Sequence, residues 1–272
     1  MKHQRELTAA IGIPAVLAVL IAAPPWTWAL VVAAAASVAL LEFYGLIAAA
    51  GWIVPRAVGF ALFAGLLAAA YRGAPGILVA LAGVAVLALP TLVMLASPPE
   101  AILLPSSAAS VFATLYVAAG AGAMIGLRAI GWRPILFLLA IVWGGDSAAY
   151  YVGRKWGRKK LAPVISPKKT WAGFFGQLAT GTLLGACAAA LSSSGETSVL
   201  DTLLAAALGF LLSLFAVVGD LVESTFKRSV AIKDSGGLLP GHGGLLDRLD
   251  SLLYASPALL LIGTLVPRVM PR

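Results

Sequence analysis

The sequence predicts an all-α, polytopic integral membrane protein of about nine transmembrane helices. Of its 272 residues, 61% are hydrophobic and only 11% are charged, whereas a soluble domain is nearer half apolar and about a quarter charged. The mean hydropathy is +0.98. Apolar runs long enough to cross a bilayer recur along the whole chain. They do not alternate apolar with polar residues, as the strands of a membrane barrel would.

The first run, near Ala9–Ala23, follows the basic start "MKHQRE" and resembles a secretory signal. It lacks an A-x-A cleavage pattern and further spans follow at once, so it is read as a retained first span. The next runs lie near Trp26–Ala50, Val54–Tyr71, Pro75–Ala96 and Ala108–Arg128; they are nearly featureless apart from Glu42 in "LLEFYGL". The sixth, near Arg133–Val152, carries Asp146 with Tyr150 one turn further on. Pro167 stops the segment that follows, and "SPKKT" leads into a seventh run near Ala172–Leu191. The eighth, near Thr202–Phe226, holds Asp220 close to its end, and the ninth, near Leu252–Val269, follows "LLDRLDS". The chain's 29 glycines permit close helix packing. From Gly144 onward polar residues enter the spans and their edges, so residues 1–131 are read as a membrane scaffold with possible oligomer contacts and 132–272 as the catalytic part.

Charge orients the spans. The formal net charge is +8, from 19 Lys and Arg against 11 Asp and Glu. No nucleic-acid-binding motif accompanies it, and the bias of cytoplasmic loops toward Lys and Arg accounts for it. The segment "GRKWGRKKLAPVISPKKT" carries Arg154, Lys155, Arg158, Lys159, Lys160, Lys168 and Lys169, while "SSSGETSVLD" carries only Glu196 and Asp201. The first is expected on the cytoplasmic side and the second outside, which outweighs Arg128 and Arg133 on the outer side. Cys187 is the sole cysteine and has no metal-ligating neighbours; it is read as a packing residue.

The stretch "KDSGGLLPGHGGLLDRLDS" gathers charge and glycine in an otherwise oily chain. Just before it, Asp220, Glu223, Ser224 and Lys227 share a helical face by spacing. The plainer reading is an internal pair of Lys227 with Asp220 or Glu223. An ionised carboxylate at membrane depth is costly unless paired, hydrated or bound to a cation. The glycines, Gly243 and Gly244 among them, can turn backbone N–H groups toward an anion. Asp247 and Asp250 are three residues apart near a helix start, a position that favours acids or a bound phosphate. Arg248 can hold a carboxylate or phosphate bidentately. Carboxylates such as Asp220 and Asp247 suit Mg2+, which takes oxygen ligands together with phosphate oxygens. Zinc centres use several His or Cys, and only His3 and His242 are present, so His242 is read as a phosphate contact or a loop-ordering group. Lys168, Lys169 and Thr170 offer phosphate donors beside a span, or a plain membrane anchor.

Together these residues resemble the phosphatidate cytidylyltransferase (CDP-diacylglycerol synthase) family. Its C-terminal signature is a serine, Lys-Arg, Lys-Asp, a Gly/Pro-rich link, His-Gly-Gly and Asp-Arg-x-Asp; here the chain reads "STFKRSVAIKDSGGLLPGHGGLLDRLD". Upstream, "GDSAAYYVGRKWGRKKLAPVISPKKTWAG" is similar to the family's Asp-x-x-Ala-Tyr, Gly-Arg and Ser-Pro-x-Lys-Thr elements. The likeness is close from about Gly144 to Ser251, and Glu42 is a faint echo. One departure is Ala172, where the family usually has Glu.

The resemblance implies that CTP and phosphatidate give CDP-diacylglycerol and pyrophosphate at a site on the cytoplasmic side of the cell membrane. It implies Mg2+ on Asp220 and Asp247, with K+ a candidate second cation. It makes Lys168, Lys169, Lys227, Arg228, Lys233 and Arg248 candidate phosphate contacts. Asp146, Asp234 and Asp250 are candidate metal or nucleotide groups, or groups that orient those ligands. Ser166, Thr170, Ser224, His242, Gly243 and Gly244 complete the expected substrate site, Asp250 and Lys227 stand with the catalytic set, and a homodimer is a candidate assembly. The rivals are a CTP-dependent enzyme of another membrane lipid (ether-lipid or polyprenol) and an ion-coupled transporter using Asp146 and Asp220.

Overall fold

The computed structural model describes residues 2–192, 198–232, 236 and 243–270, which form nine α-helices, a β-hairpin and a short 3-10 helix. The helices are α1 (Lys2–Ala22), α2 (Pro25–Ala49), α3 (Arg56–Tyr71), α4 (Pro75–Leu95), α5 (Glu100–Ile130), α6 (Arg133–Trp156), α7 (Trp171–Ser192), α8 (Val199–Ser229) and α9 (Leu246–Leu265). Strands β1 (Lys160–Ala162) and β2 (Ser166–Thr170) pair antiparallel between α6 and α7. Each expected apolar run corresponds to one helix. Six of them, α2 and α4 to α8, are long and apolar enough to cross a membrane. The protein is an all-α integral membrane protein.

Local chemistry sets the helix ends. Pro25 occupies the first turn of α2, where its missing N–H and fixed φ suit a helix start. Gly51 (φ +78°) and Gly73 (φ +62°) end α2 and α3 in the left-handed conformation. The next N–H groups reach back, Trp52 to the Ile47 carbonyl (3.2 Å) and Ala74 to that of Ala69 (3.0 Å), closing a Schellman-type cap. Helix α5 starts at Glu100, eight residues before the expected span, directly after Pro98–Pro99. An acid in the first turn complements the helix dipole.

Contacts divide the chain into two compact units, Met1–Ala129 with Phe226–Leu249, and Ile130–Thr225 with Asp250–Arg272. Helices α8 and α9 contribute to both. In the first unit a buried polar ladder ties the 50–55 turn to α5. Tyr44 and Thr114 hydroxyls lie 2.6 Å apart, Ser110 donates to the Ile53 carbonyl (3.4 Å), and the Ile53 N–H donates to Ser106 (3.0 Å). Phe43, Phe112, Tyr116 and Phe226 form an aromatic cluster beside it.

The second unit is built on close backbone approach. A Cβ on Gly185 would lie 2.1 Å from the Ala205 carbonyl oxygen, and one on Gly209 would lie 2.1 Å from that of Gly181. Gly181 and Gly185 are four apart on α7, as Ala205 and Gly209 are on α8, so α7 and α8 meet along a small-residue seam. Where lipid is as apolar as leucine, such van der Waals contact drives helix association. Gly219 does the same for α8 and α9, since its Cβ would sit 2.8 Å from the Asp250 carbonyl oxygen. Any side chain at Gly185 forces α7 and α8 apart, and Gly219 fixes the approach of α9 one residue before Asp220.

Candidate active site

Within the second unit, a cavity of about 460 Å3 lies among α6, the hairpin, α7 and α8. Helix α6 contributes Asp146, Tyr150, Gly153 and Arg154, which share one face by 3.6-residue periodicity. The hairpin brings Lys160, Lys168, Lys169 and Thr170, and α8 brings Asp220.

The hairpin is a finding beyond the sequence, where "SPKKT" reads only as a lead into a span. Its closure rests on small residues. The Thr170 hydroxyl is buried against Gly153, Gly157 and Gly173. A Cβ on Gly157 would lie 2.5 Å from that hydroxyl and 2.2 Å from the Gly153 carbonyl oxygen. Thr170 also accepts the Gly173 N–H at 3.2 Å, satisfying one of the unpaired donors at the start of α7. Thr170, expected as a phosphate donor, therefore lines the cavity while capping a helix. Ala172 sits half-buried in that first turn. Ser166 opens β2 opposite Ala162 and is not among the cavity-lining residues.

Lys169 Nζ reaches Asp220 Oδ2 at 2.6 Å, and the Ser224 hydroxyl lies 3.3 Å from Asp220 Oδ1. The partner of Asp220 is thus a lysine of the hairpin. Gln177 Nε2 donates to Asp146 Oδ1 at 3.2 Å. Asp250 is buried, with one carboxylate oxygen held by the Ser251 N–H. Asp146, Asp220 and Asp250 lie near enough to feel one another's charge and that of Lys169. The cavity sets Asp146 and Asp220 against Arg154, Lys160, Lys168 and Lys169, so a cation held at its carboxylates would come together with an anionic ligand. Among the described residues no three Asp, Glu, His or Cys side chains group closely enough to hold a metal alone. A fit therefore requires ligand oxygens as well, which is the ordinary habit of Mg2+.

In the first unit, Lys227 forms an ion pair with Asp247 Oδ1, and the Gly244 N–H donates to Asp247 Oδ2 at 2.9 Å. Glu42, buried in α2, accepts the N–H groups of Leu245 (3.0 Å) and Leu246 (2.8 Å). The sequence points to this helix start as a place for phosphate, yet these three N–H groups are already held by protein carboxylates. Gly243 adopts φ +74°, and Arg228 and Arg248 are exposed. Lys233, Asp234 and His242 lie outside the described residues.

The sequence reading missed Gln177 and the part of Arg154 and Lys160 in the cavity wall. It noticed Glu42 without assigning it a contact. Gln177 was findable, since a lone amide inside an apolar run is a pointer to function.

The fold and this cavity define a polytopic membrane protein with a charged pocket of a kind that suits polyanions. The chain belongs to the cytidylyltransferase family, whose model matches residues 3–266. It is 43% identical over 161 residues to a phosphatidate cytidylyltransferase of Brucella melitensis, covering 58% of this chain and 57% of that protein. It is 46% identical over 139 residues to one of Staphylococcus epidermidis (50% and 52%), and 46% over 123 residues to one of Pseudomonas aeruginosa (45% and 44%). The chain thus spans about half the length of the curated relatives it matches.

Proposed function

We propose that this protein is a phosphatidate cytidylyltransferase, joining CTP to phosphatidate to give CDP-diacylglycerol and pyrophosphate. The observation that carries the reading is the cavity where Asp146 and Asp220 face Arg154, Lys160, Lys168 and Lys169 in a member of the cytidylyltransferase family. The names of its relatives support it.

In this reaction a phosphate oxygen of the lipid attacks the α-phosphorus of CTP. A P–O bond to that oxygen forms, the bond to the β-phosphate oxygen breaks, and pyrophosphate leaves with the electron pair. The nucleophile is anionic at neutral pH, so no strong general base is required. The demand is to hold two polyanions together and stabilise charge in the transition state. Lys168 and Lys169 on β2, with Arg154 and Lys160, are positioned to bind phosphate oxygens. Tyr150 and Phe174 give the cavity an apolar side. Asp220 would hold Mg2+ in the cavity, with Asp146 beside it in the wall; Asp247, at the start of α9, is a separate candidate carboxylate for Mg2+. When bound, Mg2+ neutralises phosphate charge and orients the triphosphate. K+ is retained as a candidate second cation. The basic residues 154–169 support a cytoplasmic position for the site.

The test is to incubate purified protein with phosphatidate, labelled CTP and Mg2+, followed by lipid extraction. Labelled CDP-lipid with one pyrophosphate per turnover is expected. Release of CDP with a phosphorylated lipid would identify a kinase, and no labelled lipid from folded protein would overturn the reading.

A further inference from the structure

Glu42 is the one charged residue of α2 and is 8% exposed. A carboxylate kept in such a helix needs a use that offsets its desolvation. Its use is visible at the start of α9, more than 200 residues away in the chain. The Leu245 carbonyl accepts the N–H groups of Arg248 and Leu249 (both 3.1 Å), which makes Leu245 the residue that caps this helix. Caps are normally Ser, Thr, Asp or Asn, whose side chains accept the orphan N–H groups of the first turn. Leucine has no side-chain acceptor; Glu42, from another helix, takes the N–H groups of Leu245 itself and of the first helical residue Leu246 on separate oxygens, two of the orphan donors of this helix start. Its negative charge also sits at the positive end of the helix dipole.

The same carboxylate fixes a second point of the signature segment. A Cβ on Gly236 would lie 2.3 Å from Glu42 Oε1, so only glycine fits there without displacing the acid. Two residues after the capped position, Asp247 is aimed by Lys227 and the Gly244 N–H. Those two partners can hold the Asp247 side chain in one orientation only if the backbone beneath it is fixed.

We propose that Glu42 is a positioning residue for nucleotide use: it caps α9 from α2 and so sets the placement of Asp247, Gly236 and Gly244. The proposal rests on the cytidylyl-transfer reading. It gives the scaffold half of the chain a part in the chemistry, and it expects a defect selective for CTP over the lipid.

The test uses full-length protein carrying Glu42→Gln or Glu42→Ala. Glutamine keeps the shape and one acceptor oxygen; alanine removes both. Without nucleotide, amide exchange at Leu245 and Leu246 should quicken about tenfold in Glu42→Ala, the scale of a lost helix cap, and less in Glu42→Gln. The KM for CTP and the Mg2+ midpoint should rise several-fold in Glu42→Ala. The KM for phosphatidate should hold, and glutamine should recover part of the loss. Unchanged exchange at Leu245 and Leu246 in folded variant overturns the capping role. Equal loss in both substrates, in proportion to lost folded protein, overturns the positioning role. If Glu42→Ala does not insert, Glu42→Gln decides by the same readouts. If wild-type protein makes no CDP-lipid, the reaction reading has failed, and the exchange arm still decides whether Glu42 fixes the start of α9.

Discussion

Among the described residues two lysine–aspartate pairs hold charge, and they differ in setting. Lys169 and Asp220 line an open cavity, with side chains 22% and 34% exposed. Lys227 and Asp247 are more enclosed, at 12% and 14%, and Asp247 is further bound by the Gly244 N–H. An ammonium in a solvated cavity can exchange its carboxylate partner for a phosphate at little cost. An enclosed pair that loses one member leaves a desolvated charge behind. The same two residue types therefore point to different work: the first pair is placed to exchange its partner for ligand, and the second keeps the Asp247 carboxylate aimed from a fixed helix start.

The comparison makes a crossed forecast. Asp220→Asn keeps shape and removes charge. Turnover per folded molecule should fall about 10²–10³-fold, the scale of losing one electrostatic stabiliser in a transition state. The unfolding midpoint should change little, because Asp220 is a third exposed. Near-normal activity with an unchanged Mg2+ midpoint would remove Asp220 from the metal assignment. Lys227→Met should reverse the pattern in stability, costing roughly 3 kcal/mol as Asp247 loses its counter-ion in a mostly enclosed place. Denaturant unfolding in detergent would measure it, and an unchanged midpoint would show that this pair is no anchor. Lys169→Ala comes next, with an expected rise of about tenfold in the KM of CTP or phosphatidate and normal insertion. Kinetics unchanged for both substrates would return Lys169 to a membrane anchor.

The sequence made the helices legible because lipid imposes one requirement on every span, a long apolar run with its backbone bonded internally. It misplaced the start of α5 because Ser106 and Ser107 dilute hydropathy, although both are buried and Ser106 accepts the Ile53 N–H. It could not yield the hairpin, since five residues containing a proline carry no period. The pairing depends on Gly157 and Gly153 receiving Thr170 from across the turn. The site divided along the same line. Asp146, Asp220, Lys168 and Lys169 announced themselves as charges in or beside apolar runs. Glu42 announced only itself, because its partners are backbone N–H groups, which look alike at every position of a sequence.

The smallest effect is expected at a third cation–aspartate pair, which tests whether enclosure rather than mere pairing is what matters. Arg268 Nε lies 2.7 Å from Asp201 Oδ1, as close as Lys169 lies to Asp220, but the Arg268 side chain is 62% exposed. Asp201 already has local partners: Ser198 donates its hydroxyl to Asp201 Oδ2 (2.7 Å) and accepts the Asp201 N–H (3.1 Å), which caps α8. Water and Ser198 can therefore satisfy Asp201 once the arginine is gone, and exposed pairs of this kind contribute little. Arg268→Ala should leave the unfolding midpoint unchanged within error, and turnover with it. Ser198→Ala should lower the midpoint more, because it strips a capping acceptor from a long helix. A midpoint loss for Arg268→Ala equal to that for Lys227→Met would show that distance alone ranks these pairs, and the distinction between enclosed and open charge would fail.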